Sequence, residues 1–134
     1  MNFTIIPASY APILHSVLRI VTGLIFMQHG TGKIFNLPPI HEKMLAMIGS
    51  GMLYFTGLME LVCGALILIG LFTRPVAFIL SGMCAVAYFM VHFPQSFFPA
   101  ANGGEAAMLY CFVFLYLSAA GGGVWSADAA RGAP

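Results

Sequence analysis

The sequence predicts an all-α protein, an integral membrane four-helix transmembrane bundle, and three observations predict it. Only 7% of the 134 residues are charged, against about 25% in soluble domains, which is too few to solvate a globular surface. Hydrophobic residues make up 60% of the chain and its mean hydropathy is +0.96. The apolar residues fall into four runs, each near the roughly 20 residues needed to cross the hydrocarbon layer, separated by breaks rich in Pro and Gly. The whole chain reads as one domain, and its principal partner is the lipid bilayer. A net charge of +1 offers no electrostatic footprint for nucleic acid.

Residues 1–12, with Pro7 and Pro12, read as an extended or interfacial lead-in. No Lys or Arg precedes the first apolar run and no small-residue cleavage site comes after it, so that run is expected to stay in the mature protein. It forms the first span, residues 13–31, ended by Gly30-Thr-Gly32. The one sizeable polar connection lies between Asn36 and Ser50. Within it residues 38–49, opened by Pro38-Pro39, predict a short helix lying at the membrane surface. The second span covers residues 52–71 and is interrupted by Glu60. Gly70-Leu-Phe-Thr-Arg-Pro75 leaves room only for a tight turn before the third span, residues 75–92, so spans two and three form an antiparallel hairpin. Ala77, Ser81 and Ala85 place small residues at every fourth position of the third span, which permits close approach to a neighbour. Pro94 and Pro99 break the helix beyond His92. Asn102-Gly-Gly-Glu105 then opens the fourth span, residues 105–121. Trp125, after a glycine triplet, is placed at headgroup level, and the residues beyond it read as a frayed tail. An even number of spans puts both termini on one side; positive-inside counting sets Arg74 and Arg131 on that side against Lys33 and Lys43 on the other, and the expectation is cytoplasmic termini.

The polar residues inside these spans carry the functional expectation. At about 100° per residue, Arg19 and Lys33 fall within about 40° of each other on the first span and His29 within about 80° of Arg19. An arginine near mid-bilayer costs on the order of 2.5–3.5 kcal/mol on insertion scales, so it needs an internal partner. Glu60, the one acid deep in any span, is the expected partner. The topology brings the end of span one, the start of two, the end of three and the start of four to one membrane face. The expectation is a polar pocket open at that face, floored by an Arg19–Glu60 pair and rimmed by His29 and His92. Candidate catalytic residues are Glu60, His29 and His92; candidate ligand-binding residues are Arg19, Lys33, Tyr88, Asn102 and Glu105. Structural readings stand beside these. The Arg19–Glu60 pair would equally fix helix register, Lys33 would snorkel to headgroups, and Asn102 and Glu105 have capping-box spacing. His15 reads as interfacial. Cys63, Cys84 and Cys111 sit in apolar runs with no C-x-x-C or metal-ligand spacing and read as small buried hydrophobes.

An Arg in the first span followed by His29-Gly-x-x-Lys33, then Met59-Glu-Leu-x-x-Gly64, Gly70-Leu-Phe-Thr-Arg-Pro75, His92-x-Pro94 and Asn102-Gly-Gly-Glu105, resembles the DoxX family over about residues 13–125. The resemblance implies a small, four-helix protein of the bacterial inner membrane. Its relatives include a DoxD-type subunit of a thiosulfate:quinone oxidoreductase and members of membrane oxidoreductase complexes linked to thiol and oxidative-stress chemistry. This chain has no paired cysteines for a dithiol relay and no nucleotide fingerprint. Electron transfer would therefore need a bound quinone, a haem or a partner subunit.

The leading expectation is a membrane oxidoreductase component whose pocket binds a quinone headgroup, with or without a small anionic sulfur reductant such as thiosulfate. His29, Lys33 and Arg19 would donate to the quinone carbonyls, and Glu60 or His92 would carry the proton that accompanies each electron. One alternative is a b-type haem protein with His29 and His92 as axial ligands. The other is non-enzymatic, a small transporter or an anchor for a soluble redox partner. Further candidate partners are a second subunit and a second copy of the chain.

Overall fold

The computed structural model describes residues 4–39, 46 and 49–133. The surface helix expected over 38–49 falls for the most part outside the described residues. A short 3-10 turn, Ala8–Tyr10, leads into helix α1, Ala11–Phe35. Helix α2 runs over Ser50–Ile69 and α3 over Thr73–Ala87. The third helix continues through a π-turn at Tyr88–His92 and a 3-10 turn at Phe93–Gln95. A one-turn helix α4, Pro99–Asn102, precedes α5, Glu105–Ala120, and a second one-turn helix α6, Ala127–Ala130, lies in the tail. No strand occurs among the described residues. Helices α1, α2 and α3, with their continuous turns, are long and apolar enough to cross a membrane, and α5 is a shorter apolar helix. Leu14, Leu18, Val21, Leu24 and Ile25 of α1 and Phe78, Ile79 and Val86 of α3 are exposed. Such apolar outer faces fit hydrocarbon and not water.

Helices α1 and α2 pack with their backbones in contact. A Cβ on Gly30 would stand 2.7 Å from the Gly57 carbonyl oxygen and from the Leu61 nitrogen, and one on Gly23 would stand 2.7 Å from the Leu68 nitrogen. On the facing helix, a Cβ on Gly57 would lie 2.8 Å from Lys33 Cβ, and one on Gly64 would lie 2.7 Å from Met27 Cγ. The glycines therefore set an antiparallel register in which Gly30 faces Gly57 and Gly23 faces Gly64. This also corrects a boundary. Gly30 and Gly32 do not end the first helix; both are buried inside it, and α1 runs on to Phe35, closed by Asn36 in the left-handed region. Without water to compete for their backbone groups, helical glycines in a bilayer lose little and gain close contact.

The other close pairing joins α3 to α5. Ala77 and Leu80 are fully buried, as are Phe114 and Leu117 opposite, and Ser81 donates to the Cys111 carbonyl at 2.8 Å. Phe26 of α1 reaches across to this pair, its ring 4.9 Å from Phe114 and 5.0 Å from Tyr110, so the core is shared by all four helices. The α2–α3 connection is as tight as expected, with Gly70 and Phe72 both at positive φ, and α3 begins at Thr73 with Pro75 in its first turn.

The tail is docked where a frayed end was expected. The Asp128 carboxylate accepts from the Phe72 amide at 2.9 Å and the Thr73 amide at 2.8 Å, satisfying donors at the start of α3, while its own amide donates to the Gly70 carbonyl at 2.9 Å. Ser126 caps α6 by accepting from the Ala129 amide. Burial pushes the Asp128 carboxyl up, but the hydrogen bonds from Thr73 and Phe72 and the nearby Arg131 charge together hold it below its ordinary value.

Two outcomes are expected. Gly30→Ala forces α1 off α2 and lowers stability by about 1–3 kcal/mol, whereas Gly82→Ala, where a Cβ meets nothing within 4 Å, leaves the thermal midpoint in detergent close to wild type. Because the folded Asp128 value is depressed, its contribution is complete above the ordinary carboxylate value of about 4 and disappears as pH falls through the lower folded value. Wild type and Asp128→Asn should differ in thermal midpoint at neutral pH and converge in acid.

Candidate functional site

Arg19 is fully buried and ends in a cage of backbone carbonyls. Its Nε donates to Gly122 O at 2.7 Å, Nη1 to Ile67 O and Leu68 O, and Nη2 to Trp125 O. Carbonyls at the C-terminal end of α2 lie outside the regular helical ladder, Ile67 O accepting from the capping Gly70 amide at 3.1 Å, and carry the negative end of the helix dipole, so they hold a guanidinium without a carboxylate. The expected Arg19–Glu60 pair is not formed. The register explains why: a Cβ on Gly70 would sit 2.9 Å from Arg19 Cζ, so Arg19 faces the end of α2, whereas Glu60 lies beside Leu61, which faces Gly30. From Arg19 to Gly30 is roughly 16 Å of helix, beyond a side chain's reach. Arg19 therefore belongs to the framework at the terminal end of the bundle. His15 lies at the same end, its ring nitrogens bonded with Tyr116 Oη at 3.1 Å and Gly121 O at 2.9 Å.

Glu60 pairs instead with Lys33. Lys33 Nζ lies 2.6 Å from Glu60 Oε1 and donates to Thr56 Oγ1 at 3.3 Å. Glu60 is only 7% exposed, and its second oxygen, Oε2, is buried with no hydrogen-bond partner among the described residues. One turn before Lys33, the exposed His29 ring packs edge-on against Tyr110 of α5 at 5.8 Å and tilted against Phe26 at 6.3 Å. An open groove of about 570 Å3, lined by Gly32, Lys33, Phe35, Ser50, Leu53 and Tyr54 among others, runs along the same end of α1 and α2. Lys33 lines the groove and also holds Glu60, so it joins the outside of the bundle to the buried carboxylate.

The remaining candidates gather elsewhere at that end. Tyr88 is buried and stacks on His92, ring centroids 6.3 Å apart, and His92 Nδ1 bonds with the Asn102 carbonyl at 3.1 Å. Asn102 Nδ2 donates to Ser96 O at 2.9 Å and to Tyr88 Oη at 3.4 Å. The capping box does not form: Gly104 is the N-cap of α5, and Asn102 Oδ1 accepts from the Gly104 amide at 2.7 Å. Glu105 is exposed in the first turn of α5. His29 and His92 make their contacts in different clusters, His29 with Tyr110 and His92 with Tyr88 and Asn102. Sequence reasoning passed over Thr56 and Tyr110. The spacing of Thr56 one turn before Glu60 was a usable signal; Tyr110 had none, because its place depends on how α5 meets α1.

These helices define a multi-pass integral membrane protein with an ion pair and an imidazole inside its spanning part. The profile of the DoxX family matches residues 14–93, and the chain belongs to that family. It is 42% identical over 122 residues to a Haemophilus influenzae protein described as an uncharacterized protein, an alignment covering 89% of this chain and 91% of that one. No solved structure matches it.

Arg19→Lys keeps the charge but loses the planar fork that reaches four carbonyls. It is expected to cost roughly 3 kcal/mol or more, read as loss of folded protein in membranes and a lower thermal midpoint.

Proposed function

We propose that this protein is a membrane-embedded oxidoreductase component that binds the headgroup of a lipid-soluble quinone beside His29, Lys33 and Glu60, in a bacterial inner membrane with cytoplasmic termini. The observation that carries this reading is the Glu60 carboxylate, held by Lys33 through one oxygen and left with the other buried and without a partner among the described residues. A buried ionisable pair in a span marks a proton or substrate pathway, and quinone chemistry requires two protons with its two electrons. Glu60 Oε2 is the atom that takes and releases the proton, Lys33 holds the carboxylate in place through Oε1, and His29, exposed on α1, donates to a quinone carbonyl. The electrons come from a small anionic sulfur reductant or from a partner subunit. Family membership supports the reading through the quinone-linked relatives that the resemblance implies.

Glu60→Gln should lower quinone turnover in reconstituted vesicles by roughly a hundredfold or more while leaving folded protein in the membrane. Full activity in that variant removes the proton role. Mass spectrometry of an organic extract of gently solubilised protein should find bound quinone. Protein that has no redox activity yet co-purifies with a soluble enzyme is an anchor instead.

A further inference from the structure

The connection between α3 and α5 has a geometry that the length of the helices imposes. Helix α5 has 16 residues, about 24 Å, short of the about 30 Å of hydrocarbon. The third span with its turns runs 23 residues, Thr73–Gln95, about 34 Å. The two are level at the opposite end, where Arg74 Nη1 donates to the Ala119 carbonyl and a Cβ on Gly122 would lie 3.0 Å from Thr73 Oγ1. The chain must therefore climb to Gln95 and descend by about 10 Å before α5 begins. Contacts record the descent. A Cβ on Gly104 would meet the Tyr88 ring at 2.7 Å, and Asn102 bonds with the Tyr88 hydroxyl.

This descending connection is built for lipid. Residues 75–104 contain no Asp, Glu, Lys or Arg. Phe97 and Phe98 are 73% and 66% exposed, and their rings continue a series of contacts, Phe89 to Phe93 at 5.8 Å, Phe93 to Phe97 at 6.2 Å and Phe97 to Phe98 at 5.5 Å. The polar groups are bonded within the segment. Asn102 bonds with Ser96 O and the Gly104 amide, His92 with Asn102 O, Gln95 with Val91 O, and Phe98 O accepts the amides of Ala101 and Asn102. Backbone that is not helical is tolerated at membrane depth only when its polar groups are satisfied within the protein, and a contiguous apolar patch of this kind is unfavourable in water.

We propose that residues 93–104 form a lipid-embedded loop, with the Phe97 and Phe98 rings among acyl chains beneath the headgroups and the Tyr88, His92 and Asn102 hydrogen bonds sealed behind them. The occupant of this surface is lipid. A span as short as α5 is accommodated by local thinning and by snorkelling of its flanking residue, here Glu105. The Tyr88–His92–Asn102 cluster then satisfies a loop at depth instead of rimming a ligand pocket.

The test places a single tryptophan in the loop, Phe97→Trp in a Trp125→Phe background, reconstituted in phosphatidylcholine vesicles. Blue-shifted emission, quenched by lipids brominated on their acyl chains and protected from aqueous acrylamide, is the expected result. Red-shifted emission quenched by acrylamide and untouched by brominated lipid overturns the proposal in favour of a loop in water. Blue-shifted emission that neither agent quenches overturns it in favour of cover by a second copy or another protein. Phe98→Trp in the same background supplies the same readings if Phe97→Trp fails to fold.

Discussion

Backbone contact between α1 and α2, made at Gly23, Gly30, Gly57 and Gly64, is the constraint on which the rest depends. In a bilayer no hydrophobic force draws one apolar helix to another, so association rests on close packing and polar contacts. Four glycines supply the packing and, because a Cβ at any of them would stand 2.7 or 2.8 Å from the facing helix, they also supply the register. The register then sorts the charges. It sets Lys33 against Gly57, one turn from Glu60, and Arg19 against Gly70 at the far end of the hairpin. Two polar centres result where one pocket with a deep floor was expected.

The two cations in α1 meet different partners for reasons of shape. A guanidinium offers five donors in a rigid plane, which suits carbonyls arriving from α2 and from the tail, and four of them accept from Arg19. An ammonium is a compact charge and is neutralised by a single carboxylate at 2.6 Å. The arginine cage binds the hairpin to the tail. The lysine pair leaves Glu60 Oε2 without a hydrogen-bond partner among the described residues, with Lys33 itself lining an open groove, and that asymmetry separates framework from candidate chemistry.

Much of the fold was legible because lipid imposes simple rules. Long apolar runs, proline breaks and the Gly70–Pro75 turn mark three spans, a fourth and their hairpin within a few residues. The expected Arg19–Glu60 pair does not form because the first helix runs past Gly30 and Gly32 to Phe35, which carries Lys33 into the span beside Glu60. The information was present all the same: Gly23 and Gly30 on one helix and Gly57 and Gly64 on the next share a spacing of seven, which aligns them antiparallel and brings Lys33, not Arg19, to Glu60. The tail was not legible in this way. Asp128 satisfies amides at Phe72 and Thr73, a contact between segments far apart in the chain that no local pattern announces. Asn102 and Glu105 had the spacing of a helix cap, but the helix begins after Gly104, and the asparagine turns to that glycine's amide instead.

The arginine cage also bears on how the chain is made. The acceptors on Ile67 and Leu68 lie 48 and 49 residues beyond Arg19, whereas those on Gly122 and Trp125 lie 103 and 106 residues beyond it. During synthesis the first helix reaches the insertion machinery long before the ribosome has produced the tail that completes its guanidinium's shell. Until then the nascent helix is a substrate that must be kept shielded from lipid or allowed to sit shallow. A chain interrupted before residue 122 would lack two of the four carbonyls that hold the Arg19 guanidinium.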